Sequence, residues 1–155
     1  MTIFTKNTIR ELNKLMEKSK LKVKVKMGKE LSFIPYDDII LFRRKYDDMV
    51  DEMFIDHLKE MGIKKLYSVY TLSFLHELGH YMTYEFFTNE EWVNMVLESL
   101  ELSDKYDNLK ELNTAYWNLP HENQANLFIV ELVNSGRCKG FLKKLDKIFL
   151  STKKC

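Results

Sequence analysis

His76-Glu77-Leu78-Gly79-His80 places two imidazoles four residues apart with a carboxylate beside the first. On an α-helix, residues four apart lie one above the other, so His76 and His80 offer two nitrogens to a single ion. Glu77 projects to one side of that pair, close enough to serve a water molecule without being a ligand. The spacing is the H-E-x-x-H pattern, in which two histidines bind zinc and the glutamate works as a general base.

The flanking residues agree with a buried helix. With about 100° of rotation per residue, Ser73, His76, Glu77, His80, Thr83 and Tyr84 fall within an arc of roughly 120°. Phe74, Leu75, Leu78, Tyr81 and Met82 cover the remainder. A helix that is apolar over most of its circumference is buried. Its polar stripe must then face a cleft, a metal or a set of partners, because unpaired buried polar groups are costly. Gly79 borders the histidine seam on the side away from Glu77. Glycine inside a helix costs about 1 kcal/mol relative to alanine, and its presence makes sense where another backbone or a substrate approaches closely.

A catalytic zinc site keeps three protein ligands and one open position. The extension H-E-x-x-H-x-x-G-x-x-H is absent, since Thr83 stands at its glycine and Phe86 at its third histidine. His57 and His121 are the remaining histidines. The run Leu119-Pro120-His121-Glu122-Asn123-Gln124-Ala125-Asn126-Leu127-Phe128 opens with a proline suited to the first turn of a helix. There Glu122 and Asn126 share a face with Ile129 and Val133, a buried stripe on which a carboxylate needs a partner. Glu122 is therefore the expected third ligand and His121 its rival. An ordinary first-turn glutamate favoured by the helix dipole is the competing explanation. Asn126, one turn on, is placed to accept the imidazole N–H of a ligating histidine.

H76-E-L-G-H80 followed by E122-x-x-A125-N126-x-F128 resembles the ImmA/IrrE-type metallopeptidases, small zincins of bacteria and their mobile elements. The resemblance spans roughly residues 30–135, although its specific part is about a dozen positions. It implies that Glu122 is the third zinc ligand and that Asn126 stands behind a ligating histidine. Ile129 departs from the small residue that follows the phenylalanine in that family, a difference in packing more than chemistry.

Composition sets further bounds. A chain of 155 residues is most economically a single domain over residues 1–155. A hydrophobic share of 45% with 13% aromatics fits a folded protein. Neither a secretory signal nor a run of about 20 apolar residues is visible. The two cysteines, Cys138 and Cys155, have no metal-ligand spacing and are expected as reduced thiols in a cytoplasmic protein. A net charge of +1 with interspersed signs argues against direct nucleic-acid binding. The lysines around residues 18–29 alternate with Leu21, Val23 and Val25, as on a solvated strand face.

In chain order, the pattern predicts a helix over 8–18 and a strand over 21–27, with a turn at Gly28-Lys29. Extended pieces follow over 31–34 and 39–42. Helices are expected over 47–61, over 67–87 carrying the motif, over 89–100 with Asn89 as cap, and over 104–117. A further helix runs from Pro120 to before Gly136, and a last one over 141–150. The fold class is α+β, a small N-terminal sheet packed on a helical body in a minimal zincin-like arrangement. By analogy with zincins, one of the strands within 21–42 would border the cleft and bind substrate by strand addition.

The expected chemistry is zinc-assisted hydrolysis of a peptide bond in a protein or peptide partner, such as a transcriptional repressor of a mobile element. Zinc on His76, His80 and Glu122 acidifies water and polarises the carbonyl. Glu77 takes the proton and passes it to the leaving amine. Tyr84 and Tyr116 are the candidate donors to the oxyanion. The alternative is a zinc-containing regulatory or binding protein without turnover, for which Glu77 would be superfluous. Zinc as a mere staple between helices ranks last, because such sites close with a fourth cysteine or histidine.

Overall fold

The structure is a computed structural model that describes residues 2–46 and 48–154, without the side chains of residues 48–50. Its elements in order are β1 (Thr2–Ile3), α1 (Lys6–Lys18), β2 (Lys24–Gly28), β3 (Ser32–Ile34), β4 (Ile39–Arg43) and β5 (Lys45–Tyr46). The helices α2 (Asp48–Glu60), α3 (Val69–Thr83), α4 (Asn89–Lys105), α5 (Leu109–Trp117), α6 (Pro120–Ser135) and α7 (Lys139–Thr152) follow. The class is α+β, with a mostly helical body and the strands gathered near the N-terminus, as the sequence predicts. No helix among the described residues is long and apolar enough to cross a membrane.

The main sheet has the order β2-β4-β3, with β2 and β4 parallel and β3 antiparallel to β4. β4 is central, and its inward residues Ile40 and Phe42 are fully buried. One edge, β2, is closed by a side chain: the Asn13 amide donates to the Val25 carbonyl at 2.9 Å and accepts from the Val25 N–H at 2.8 Å. A single asparagine thus does what a neighbouring strand would do at that point. The other edge is β3, which lies against α3, where Phe33 packs on Tyr81 and Tyr84.

Aromatic rings join the layers. Phe4 meets Phe42 at 5.4 Å, Tyr70 at 5.1 Å and Phe149 at 5.5 Å between centroids, linking the N-terminus to β4, α3 and α7. These separations and their mainly edge-to-face angles are the favoured ones for ring pairs. α3 runs through the middle, and every residue from Thr71 to His80 is buried. Ser68 caps it by accepting from the Thr71 N–H, while Asp146 of α7 accepts from the Ser68 N–H and the Thr71 hydroxyl.

Several boundaries differ from the expected ones for local reasons. The strand expected from residue 21 begins at Lys24, because residues 19–21 close the carbonyls at the end of α1. Leu21 N–H reaches the Met16 carbonyl at 2.9 Å, with Lys20 in the left-handed region at φ 57°. The motif helix ends at Thr83 rather than residue 87. The Thr83 hydroxyl turns back to the Gly79 carbonyl, and the chain tightens into one 3-10 turn, Tyr84–Phe86. Thr88, not Asn89, caps α4, in a reciprocal capping box with Glu91. α4 continues to Lys105, and α5 starts at Leu109, since the Asn108 side chain accepts from the Lys110 and Glu111 N–H groups. The two-residue strands β1 and β5 are too short for alternation to reveal. The expected starting residue Asp47 and the thiol of Cys155 lie outside the described residues.

Gly79 has the role its position suggests. A Cβ built there would lie 2.9 Å from the Ala125 carbonyl oxygen and 3.0 Å from its Cα, so the backbone of α6 passes directly over it. Gly79→Ala gains about 1 kcal/mol of helix propensity, yet it forces two packed backbones apart. We expect a net loss of about 1–3 kcal/mol in denaturant unfolding, with weaker metal uptake; a variant more stable than wild type would contradict this packing.

Candidate metal centre

α3 and α6 bring together what the sequence separates by some forty residues. His76 and His80 project from one face of α3, and Glu122 comes from the first turn of α6. Pro120 at the start of α6 fixes where that turn begins. One ligand atom from each of His76, His80 and Glu122 lies within 4.8 Å of the others, and all three residues are buried. Glu122 Oε2 is 2.6 Å from His76 Nε2, and Oε1 is 3.3 Å from His80 Nε2.

The donor chemistry fits a divalent ion. Asn126 presents its carbonyl oxygen to His76 Nδ1 at 2.7 Å. A carbonyl only accepts, so Nδ1 carries the proton and a neutral His76 directs the Nε2 lone pair at Glu122. Two lone pairs facing each other at 2.6 Å in a dry interior require a proton or a cation between them. Two imidazoles and one carboxylate are a ligand set of catalytic zinc sites. Asn126, 0% exposed, supplies the outer hydrogen bond that fixes the orientation of a ligating histidine.

Without an ion, protons take its place. Burial disfavours charge on His76, but the Glu122 carboxylate outweighs this and raises its pKa from 6.5 to about 9. Burial alone would raise Glu122, and the neighbouring His80 and His76 hold it well below the usual carboxylate range instead. Glu77 is pushed up by burial, against the opposing pull of His80 and His76 and a hydrogen bond from the Phe33 backbone. A carboxylate raised in this way is better matched to taking a proton near neutral pH.

The remaining expected residues separate. Tyr116 donates its hydroxyl to Glu122 Oε1 at 2.9 Å. Tyr84 instead packs on Phe33 and hydrogen-bonds Asp38, which turns it to the sheet. His121 is buried, stacks on His80 and lies 3.2 Å from Glu122 Oε1, but it is outside the trio that can share an ion. His57 stacks flat on Trp117 at 4.7 Å. Cys138 is free.

Beside the trio opens a cavity of about 190 Å3, lined by Leu31, Asp51, Phe54, Ser73, His76, Glu77, Tyr116 and Trp117. Phe54 and Trp117 were not singled out in the sequence, since nothing in a helical pattern tells a cleft wall from core. Larger cavities lie at the α7 surface and along α1, away from these residues. No family model, curated protein or solved structure matches the chain.

The two pKa shifts fix a pH dependence. His76, raised from 6.5, stabilises the metal-free fold fully below 6.5 and loses that contribution as pH climbs through 9. Glu122, depressed below 4.5, contributes above 4.5 and loses it on further acidification. A metal must displace the His76 proton, so uptake near pH 7 is expected to release about one proton. Calorimetry in buffers of different ionisation enthalpy checks this; release that does not fall as pH approaches 9 would contradict the pairing.

Proposed function

We propose that the protein is a zinc-dependent peptidase, of the kind the ImmA/IrrE-type resemblance implies, acting on a protein partner such as a repressor. The observation that carries this reading is the buried trio of His76, His80 and Glu122 with Glu77 lining the adjoining cavity. A binding site alone has no use for a second buried carboxylate beside its ligands, which burial makes costly to keep charged. Zinc held there supplies Lewis acidity toward water and the scissile carbonyl.

The chain's own groups account for the rest of the reaction. Glu77 takes the proton from the attacking water and delivers it to the departing amine. Asn126 keeps His76 in the tautomer that leaves Nε2 free to bind. Of the two tyrosines Tyr116 is the one that borders the cavity, and its single hydroxyl proton would have to leave Glu122 Oε1 to meet developing negative charge. β3, an edge of the sheet whose Phe33 N–H reaches Glu77, offers an extended substrate a strand to pair with.

The cavity wall suggests what sits beside the scissile bond. Leu31, Phe54 and Trp117 are apolar, and the one carboxylate besides Glu77, Asp51, is paired with Arg43 at 3.6 Å. A neutralised acid has little to offer a lysine, so the volume of about 190 Å3 suits a leucine, methionine or phenylalanine side chain. In a peptide library, cleavage next to such residues is expected to exceed cleavage next to alanine or lysine by about 10–100-fold in kcat/KM. A preference for basic residues would reject this assignment.

Glu77→Gln is expected to keep zinc at near-stoichiometric levels while reducing peptide cleavage by several orders of magnitude. The same variant serves as a trap in pull-downs. Zinc retained together with undiminished cleavage would sink the proposed chemistry.

A further inference from the structure

Three imidazoles approach the Glu122 carboxylate, and only two of them belong to the trio that can share an ion. The third, His121, is 3% exposed, so the fold has spent a buried polar side chain there. The division of labour becomes visible when the two carboxylate oxygens are considered separately.

Oε1 faces the Tyr116 hydroxyl at 2.9 Å and His121 Nε2 at 3.2 Å. Both approach from outside the trio, and His80 Nε2, a member of it, lies 3.3 Å from the same oxygen. Oε2 meets His76 Nε2 at 2.6 Å. We propose that His121 and Tyr116 together hold Oε1 of Glu122 and so turn its carboxylate toward the ion shared with His76 and His80. His121 is then a positioning residue and not a fourth ligand. This rests on the metal reading of the trio.

The surroundings of His121 support that role. Where Oε1 accepts a hydrogen bond from His121, Nε2 carries the proton and has no lone pair to give a metal. Its ring cannot easily swing round to offer Nδ1. It stacks on His80 with centroids 5.6 Å apart and meets the edge of Trp92 at 5.0 Å. Trp92 also abuts His80 at 5.4 Å, so one indole locks a ligand and the positioning residue together.

The test measures metal affinity and ligand geometry, independently of turnover. Zinc affinity is read by chelator competition, and the coordination of Co2+ put in place of zinc by its visible absorption. His121→Leu is expected to weaken zinc binding about 10–100-fold and to change the Co2+ bands as the released carboxylate turns. His121→Gln restores an N–H donor without an imidazole and is expected to recover most of both. Tyr116→Phe removes the other donor to Oε1 and is expected to shift both readouts in the same direction, which covers the case in which His121→Leu fails to fold. If Gln is as damaging as Leu, His121 is a ligand and the proposal is wrong. Leu and Phe variants indistinguishable from wild type would also overturn it while leaving the metal site intact. A wild-type chain that takes up no zinc removes the metal reading itself, and this inference with it.

Discussion

The close passage of α6 over Gly79 is the constraint on which the site depends. Helices normally pack with axes about 8–10 Å apart, at a distance set by the side chains between them. Here the contact is made by a glycine and by the backbone of Ala125, the smallest pair available. That approach lets a first-turn carboxylate of α6 reach two imidazoles on α3. A larger side chain at this contact would hold Glu122 away from His76 and His80. Phe128 touches the same position from one turn further along α6, so the seam is close-packed on both sides of the histidines.

Dense packing makes the electrostatics severe. His76, Glu77, His80, His121, Glu122 and Asn126 are all buried within two helices, in surroundings where an unpaired polar group is expensive. Most of these polar atoms find a partner, while His80 Nδ1, His121 Nδ1 and Asn126 Nδ2 find no hydrogen bond among the described residues. Asn126 orients one imidazole, Tyr116 and His121 occupy one carboxylate oxygen, and the opposing lone pairs on His76 and Glu122 are reconciled only by a proton or a cation. Glu77 stands apart from that network, tied to the sheet edge and open to the cavity.

The sheet and the aromatic core fix α3 in place. Phe42 of β4, Phe74 of α3 and Phe149 of α7 form a mutually contacting set, with Phe4 packed on two of them. Asp146 ties the start of α3 to α7. His76 and His80 therefore sit on a helix held at its start and along its length. The cavity beside them is bounded by α2, α5 and the segment before β3, through Phe54, Trp117 and Leu31. His76, Glu77 and His80 thus share one anchored helix, while most of the facing cavity wall comes from other elements.

Local information in the chain was enough for the motif helix, the buried polar stripe and the glycine within it, since these follow from a period of 3.6 residues and the cost of burying polar groups. It also identified Glu122 and Asn126 as the polar members of an apolar face, one turn apart. What it left open were pairings that no spacing encodes. His121 against Glu122 as the third ligand, Tyr84 against Tyr116 beside it, and the membership of Phe54 and Trp117 in the cleft all depend on how two helices are set against each other. Element boundaries failed where a side chain or a helix cap competed for the backbone, as at residues 19–21 and at Asn108. Periodicity tells which face of an element is buried, but only packing in three dimensions decides what that face is buried against.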